Sequence, residues 1–396
     1  MKFLSKRLLN MKLSKTLAMS NKARRFKKKK CKIINLSIGE PDFYPPKYIL
    51  NYAKKAIDNG YHYYTPISGD LELKKKICEK FIRDNNIYYN TSQILISNGA
   101  KQSIINIFLS ILNPGDEIII PAPYWVSYYE MAKLCEAFPK IIYTTFNTNF
   151  KITAKQLKKS ITYKTKAFIF NNPCNPTGCI YTKKEIKSLI NILKKYPNII
   201  IISDEIYEYI NYFGKHISIA SFSEVYKQTI TINGISKAFS MTGWRIGYMG
   251  GPKWIIKSCE KIQGQITSGA NSIAQRAAIN ALKLNKKYIE YIIEELKKRR
   301  NLALKLSYNI PGLKFITPMG AFYLFEDISN FLKKKYLGIK INNSNELANF
   351  LLKKAHVATV SGSAFGYPNG LRISYACSRK KLIQAFLRIK KILCKG

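Results

Sequence analysis

Acidic residues are scarce in this sequence, 23 against 66 lysines and arginines in 396 residues, and histidine and tryptophan occur three times each. His62, His216 and His356 are too few and too scattered to suggest a zinc site, and no metal is expected. The eight cysteines, at 31, 78, 135, 174, 179, 259, 377 and 394, include no C-x-x-C pair. A chain long enough for a large core needs no disulfide staples, and no apolar run ends at a small-residue cleavage site near the N-terminus. Reduced thiols in a cytoplasmic protein are the expectation. Long apolar runs are also missing: nothing approaches the roughly 20 uncharged positions of a membrane span, so no membrane partner is expected.

What is present is an ordinary globular composition, 46% apolar and 22% charged, with a formal net charge of +43. Such a charge suits nucleic-acid binding, because clustered cations release counterions from phosphates. The lysines here lie along the whole chain beside Ile, Asn and Tyr, whose codons are A/T-rich, and compositional drift gives the same pattern. No helix-turn-helix, zinc-finger or RNA-binding signature accompanies the charge, so no nucleic-acid partner is expected. In either case the charge attracts anionic ligands.

Between about residues 90 and 250, helical segments alternate with short β-branched runs at 93–97, 117–120, 140–144, 166–170, 198–203, 229–233 and 246–250. Runs rich in Ile with little alternation suit strands buried on both faces. The pattern predicts an α/β fold with a mostly parallel seven-stranded sheet covered by helices. A helical tract over 271–306, short strands at 321–325, 357–360 and 371–376, and helices over 344–354 and 379–393 predict a smaller α+β domain. The division expected is 45–285 for the large domain, with 1–44 packing against 286–396 in the small one. The basic run 24–30 reads as a loop or helix end.

In an open α/β sheet, ligands sit at the carboxyl ends of the strands, and several such ends carry unusual residues. Gly99-Ala100-Lys101 joins a strand to a helix, where free N–H groups attract an anion; a simple turn is the plainer reading. Trp125 follows another strand, where, taken alone, a core role is the favoured reading. Asn171-Asn172-Pro173-Cys174-Asn175-Pro176-Thr177-Gly178 is more specific: two X-Pro units predict an extended, rigid loop that aims the Asn175 amide. Asp204 and Tyr207 follow an apolar strand, and a carboxylate there needs a cation or donors unless it merely caps a helix. In Ser236-Lys237-Ala238, with Arg245 eight residues after the lysine, a desolvated amine near other cations becomes a nucleophile towards an aldehyde. Ser236 and Arg245 suit a phosphate dianion.

These segments, with Gly39-Glu40-Pro41-Asp42-Phe43, Tyr64-Thr65-Pro66, Ser203–Tyr207 and Arg372-Ile373-Ser374-Tyr375, resemble the fold-type-I aminotransferases of the aspartate-aminotransferase class. The resemblance covers essentially the whole chain, so the basic N-terminus is expected to belong to the fold. It implies pyridoxal 5′-phosphate as cofactor, amino acids and 2-oxo acids as substrates, and a homodimer with shared sites. Lys237 would hold the cofactor as a Schiff base and then move the proton between Cα and the cofactor. Asp204 would pair with the pyridine nitrogen, Asn175 and Tyr207 would bond the ring oxygen, and Trp125 would stack on the ring. Gly99, Ala100, Lys101, Ser236 and Arg245 would hold the phosphate, with Tyr64 reaching it from the neighbouring subunit. Arg372 would clamp the substrate α-carboxylate with the Gly39 backbone over it; the alternative, a sheet-edge ion pair, is supported only by the abundance of basic residues.

The subgroup resembled also uses a lysine at the site of Lys101 and a threonine matching Thr16 for a distal carboxylate. That points to aspartate with 2-oxoglutarate, ahead of aromatic amino acids or prephenate. A lyase or decarboxylase on the same scaffold would share Lys237 and Asp204. A nucleic-acid-binding regulator on this fold would need an additional helix-turn-helix domain. Cys174 and Ser361 depart from the family pattern.

Overall fold

The computed structural model describes residues 3–28, 30–283 and 287–394. All seven expected runs are strands of one seven-stranded sheet. Their spatial order is Ile94–Ser97, Gly247–Gly250, Thr229–Gly234, Ile200–Asp204, Thr165–Asn171, Glu117–Ala122 and Phe138–Tyr143. Pairing is parallel except around Gly247–Gly250, which runs antiparallel to both neighbours. Every residue of Ile200–Asp204 and Thr229–Gly234 is buried, as expected where helices cover both faces and Ile supplies bulk without polar atoms.

The connecting helices start where local chemistry stops the strand. Before helix Lys183–Leu193, Thr182 and Glu185 form a capping box that satisfies two N–H groups left over at the helix start. Helix Ala100–Ile111 begins at Gly99, whose φ of +85° reverses the chain directly after a strand. Pairing places Asn171 opposite Asp204, and Asp204 opposite Ile232. Two polar strand ends are thereby brought side by side at one edge of the core.

A second, antiparallel sheet orders Val360–Ser361, Gly370–Ser374, Tyr323–Asp327 and Lys314–Phe315. The N-terminal segment joins this part of the molecule. Ile34–Asn35 pairs in parallel with Val357–Ala358, and Met19, Ala23, Ile34 and Leu36 share an apolar core with Leu324, Leu351 and Phe386. The 24–30 run is the end of helix Lys15–Lys28, residue 29 lying outside the described residues. The 271–306 tract is two helices, Ser272–Lys283 and Lys287–Tyr308; the boundary expected at 285/286 lies outside the described residues. Among the described residues no helix is long and apolar enough to cross a membrane.

Candidate functional site

Both polar strand ends open into a cavity of about 380 Å³ bounded by the large sheet, the 37–40 segment and Arg372. Of the residues expected at a site, Thr16, Gly39, Ala100, Lys101, Trp125, Asn175, Asp204, Tyr207, Ser236, Lys237, Arg245 and Arg372 all line it. Gly99 sits behind the wall. A Cβ on it would lie 2.3 Å from Arg245 Nη2, so only glycine lets the guanidinium approach the helix start. Tyr64 is not brought in: it is 97% exposed and lies outside the cavity.

The Asn171–Gly178 segment is a compact turn, not the extended loop expected from its prolines. Gly178 N donates to Cys174 O at 2.9 Å and Cys174 N to Cys179 O at 3.1 Å. Gly178 permits the reversal with φ of +68°. Asn171 Oδ1 accepts from Asn175 N at 2.9 Å, and Asn175 Oδ1 accepts from Arg372 Nη1 at 3.0 Å. The orientation so imposed on the Asn175 amide leaves its Nδ2 without a partner among the described residues.

Arg372 is 3% exposed, with Nη2 donating to Ser37 O at 2.7 Å and its guanidinium stacked 4.3 Å from the Tyr323 ring. Its Nε is buried with no partner among the described residues. Arg372 lines the cavity, and a guanidinium held this way is suited to receive a carboxylate. It is not at a sheet-edge ion pair: the groups that hold it are neutral.

Lys237 Nζ donates to Gly39 O at 2.7 Å. Burial lowers its pKa from 10.5 to about 8; Arg372 and Arg245 add to the lowering, while Glu40 and Asp204 oppose it. Asp204 accepts from Tyr128 Oη at 2.5 Å and from Ile206 N at 3.2 Å. Burial raises its pKa, and those two donors pull it back. Arg245 adopts φ of +59° and spends Nη1 on Thr242 O and Nη2 on Asn98 O, at 2.9 and 3.1 Å. Tyr207 and Tyr323 share a 2.9 Å hydrogen bond between their hydroxyls. Lys101 keeps an exposed face, with its ammonium 5.1 Å over the Trp125 ring; partial burial, then Arg245, lowers its pKa. Thr16 Oγ1 lies 2.8 Å from Ser14 Oγ.

Sequence reasoning missed three elements here. Tyr128 carries no motif, though it follows Trp125 by three residues, the spacing of one helical face. Tyr323 lies 116 residues from the tyrosine it bonds. A buried network behind Asp204 was also missed: His216 Nε2 lies 2.8 Å from Glu205 Oε2, Asn85 Nδ2 donates to Glu208 Oε2 at 2.7 Å, and Lys80 pairs with Glu208. The carboxylates and His216 lie close enough together to hold a metal ion, but Glu208 is already paired with Lys80. The glutamates could have been singled out from the Asp204-Glu205-x-x-Glu208 sequence; Lys80 is lost among 66 basic residues.

Comparisons with known proteins agree in kind. The sequence profile described as "Aminotransferase class I and II" matches residues 31–389. A Petunia hybrida protein described as a bifunctional aspartate aminotransferase and glutamate/aspartate-prephenate aminotransferase is 44% identical over 98% of this chain and 82% of its own. An aspartate/prephenate aminotransferase of Cereibacter sphaeroides is 42% identical, with both chains covered completely. Among solved structures, the aspartate aminotransferase of Rhizobium meliloti superposes with a TM-score of 0.96 at 37% identity, covering 99% of each chain. That of Thermus thermophilus with maleate gives 0.92 at 35% identity, covering 99% of this chain and 100% of its own. With relatives of 42–44% identity and a profile spanning 31–389, the chain belongs to the class I and II aminotransferases.

Proposed function

We propose that the protein is a pyridoxal 5′-phosphate-dependent transaminase acting on aspartate and 2-oxoglutarate. The observation that carries this reading is one cavity in which the Lys237 amine lies within electrostatic reach of both Asp204 and Arg372. The residues present fit the cofactor. Gly99 leaves space for Arg245 at the helix start, which suits a phosphate. Asp204 suits a protonated ring nitrogen, and the free Nδ2 of Asn175 suits a ring oxygen. When bound, the cofactor supplies an aldehyde that condenses with amines and a pyridinium that draws in electron density from the substrate.

The chain's own residues divide the remaining work. Arg372, which lines the cavity, binds the substrate α-carboxylate and so orients Cα. Lys237 Nζ, whose pKa burial lowers to about 8, would carry the proton between the substrate Cα and the cofactor carbon that bears the aldehyde. Trp125 covers one wall, and Tyr207, tied to Tyr323, presents a fixed hydroxyl. Residues 45–285 form the cofactor-binding part on this reading, and 1–44 with 286–396 the smaller part. Tyr64 and Tyr63, 97% and 78% exposed, suit contact with a second copy in a homodimer whose sites share Tyr64. A cytoplasmic enzyme accords with the absence of a long apolar helix among the described residues.

The test is loading of the apoenzyme. Only the neutral amine attacks an aldehyde, so uptake of pyridoxal 5′-phosphate should rise with pH and level off above about 8. At pH 7.5 the neutral fraction is roughly two hundred times that of an ordinary lysine. Borohydride should then fix the cofactor on Lys237. A label mapped to another lysine, or uptake still climbing at pH 10, would refute the assignment.

Substrate choice is tested separately. Lys101 sits in the first turn of helix Ala100–Ile111, with its backbone fixed and its ammonium lining the cavity. A charge-assisted contact of this kind is worth about 1.5–3 kcal/mol, or roughly tenfold to a hundredfold. Lys101→Ala should lower kcat/KM for aspartate, glutamate and prephenate by that factor and leave alanine and phenylalanine nearly unchanged. A uniform loss across the panel would assign Lys101 to the phosphate instead.

A further inference from the structure

The residue that holds Asp204 in place has no part in the reading so far. Tyr128 lies in helix Val126–Leu134, is 1% exposed, and lines the cavity beside Asp204. Its hydroxyl meets one carboxylate oxygen, Asp204 Oδ2, at 2.5 Å. Its ring stands edge-on to Trp125, with centroids 5.2 Å apart and planes at 86°. We propose that Tyr128 is a positioning residue for Asp204: its phenol fixes the carboxylate in its ionised, cavity-facing form, and its ring braces Trp125.

Packing alone does not account for the arrangement. Phenylalanine would fill the same volume, so the hydroxyl is present for its hydrogen bond. The direction of that bond is set by chemistry: Tyr128 keeps its proton, because burial and then the Asp204 charge hold its pKa far above the ordinary value. It therefore donates, and a carboxylate oxygen accepts. Other groups act on Asp204 from each element packed against it. Lys237, from the segment after strand Thr229–Gly234, favours the ionised form, and Glu205, just past the end of its strand, disfavours it. Tyr207 and Cys174 feel its charge but are neutral when protonated. Besides Ile206 N on Oδ1, Tyr128 is the donor that offsets desolvation of this carboxylate.

The inference rests on the reading that Asp204 faces the ring nitrogen of pyridoxal 5′-phosphate, where only the ionised acid stabilises a pyridinium. The sign follows directly. Removing the donor favours the protonated acid, so Asp204 takes up its proton at a higher pH than in the parent.

The test is Tyr128→Phe in the loaded enzyme, with Asp204→Asn and the double variant completing a cycle. For Tyr128→Phe, kcat for aspartate should fall roughly tenfold to a hundredfold, the value of one hydrogen bond to a charged group. KM should stay within about twofold, since Arg372 and Lys101 are untouched. The acid limb of the kcat profile should move to higher pH. So should the acid limb of cofactor affinity, followed by tryptophan fluorescence as the apoenzyme is titrated with pyridoxal 5′-phosphate. In the Asp204→Asn background the Phe substitution should change neither profile. Unshifted acid limbs in Tyr128→Phe, or equal losses with and without Asp204, would overturn the assignment and leave Tyr128 as packing only. Should neither parent nor variant bind pyridoxal 5′-phosphate, the cofactor reading fails and this inference fails with it. A loaded enzyme with unshifted profiles refutes the inference alone.

Discussion

Lys237→Ala should lower turnover of aspartate by about four orders of magnitude, the upper range for loss of a positioned base. The reason is that, among the described residues lining the cavity, Lys101 is the other lysine, and it is placed elsewhere. Lys101 has its ammonium over the Trp125 ring, and Lys15 Nζ is engaged by Ser363 Oγ at 2.9 Å. The fold should survive. Lys237 Nζ makes one hydrogen bond to the protein, to Gly39 O, and burial already disfavours its charged form. Far-UV circular dichroism should match the parent, and pyridoxal 5′-phosphate should still bind, without borohydride-stable attachment, through Arg245, Asn175 and Asp204. Turnover above one hundredth of the parent's would mean that a different group moves the proton.

Asp204→Ala should lower the single-turnover rate with aspartate by roughly thirtyfold to several thousandfold. Truncating one member of a buried, hydrogen-bonded charge pair costs roughly 2–5 kcal/mol. The loss should fall on the rate far more than on cofactor affinity, because Ser236 and Arg245, the residues proposed to hold the phosphate, lie outside strand Ile200–Asp204. Stopped-flow absorbance for the rate and fluorescence titration for the affinity separate the two. A near-normal single-turnover rate would remove Asp204 from the chemistry and reduce it to a partner of Tyr128.

Legibility in the sequence followed the range of the interaction. The seven strands could be read because each is a local run of β-branched residues between turn signals, and helix Arg379–Leu393 ended where its periodicity ended. Helix Lys15–Lys28 was visible only at its basic end, since it buries just Met19 and Ala23 and so has almost no apolar stripe. The hairpin Lys334–Tyr336 with Ile339–Ile341 was missed because its turn uses Leu337 and Gly338, both at positive φ, in place of the Asn-Gly pair that signals such turns. At the cavity, Lys237, Asp204 and Asn175 stood out because they sit in dense motifs. Tyr128, Tyr323 and the Lys80–Glu208 pair did not: each takes its meaning from a partner 76, 116 or 128 residues away, and one chain read linearly does not disclose such meetings.

The pairing of Asn171 with Asp204 has a consequence for inheritance of the site through mutation. Along a strand, successive side chains point to opposite faces. Asp204 enters the cavity, while its neighbours Ser203 and Glu205 bond each other at 2.7 Å and belong to the network around His216. A slip of one residue in strand Ile200–Asp204 would exchange the two environments, turning Glu205 or Ser203 to the cavity in place of Asp204. The chemistry is thus indexed by the alignment of Ala167–Phe170 with Ile200–Ser203. Changes at Ile169 or Ile202, within these strands and in the core that holds Tyr128, should register as catalytic defects.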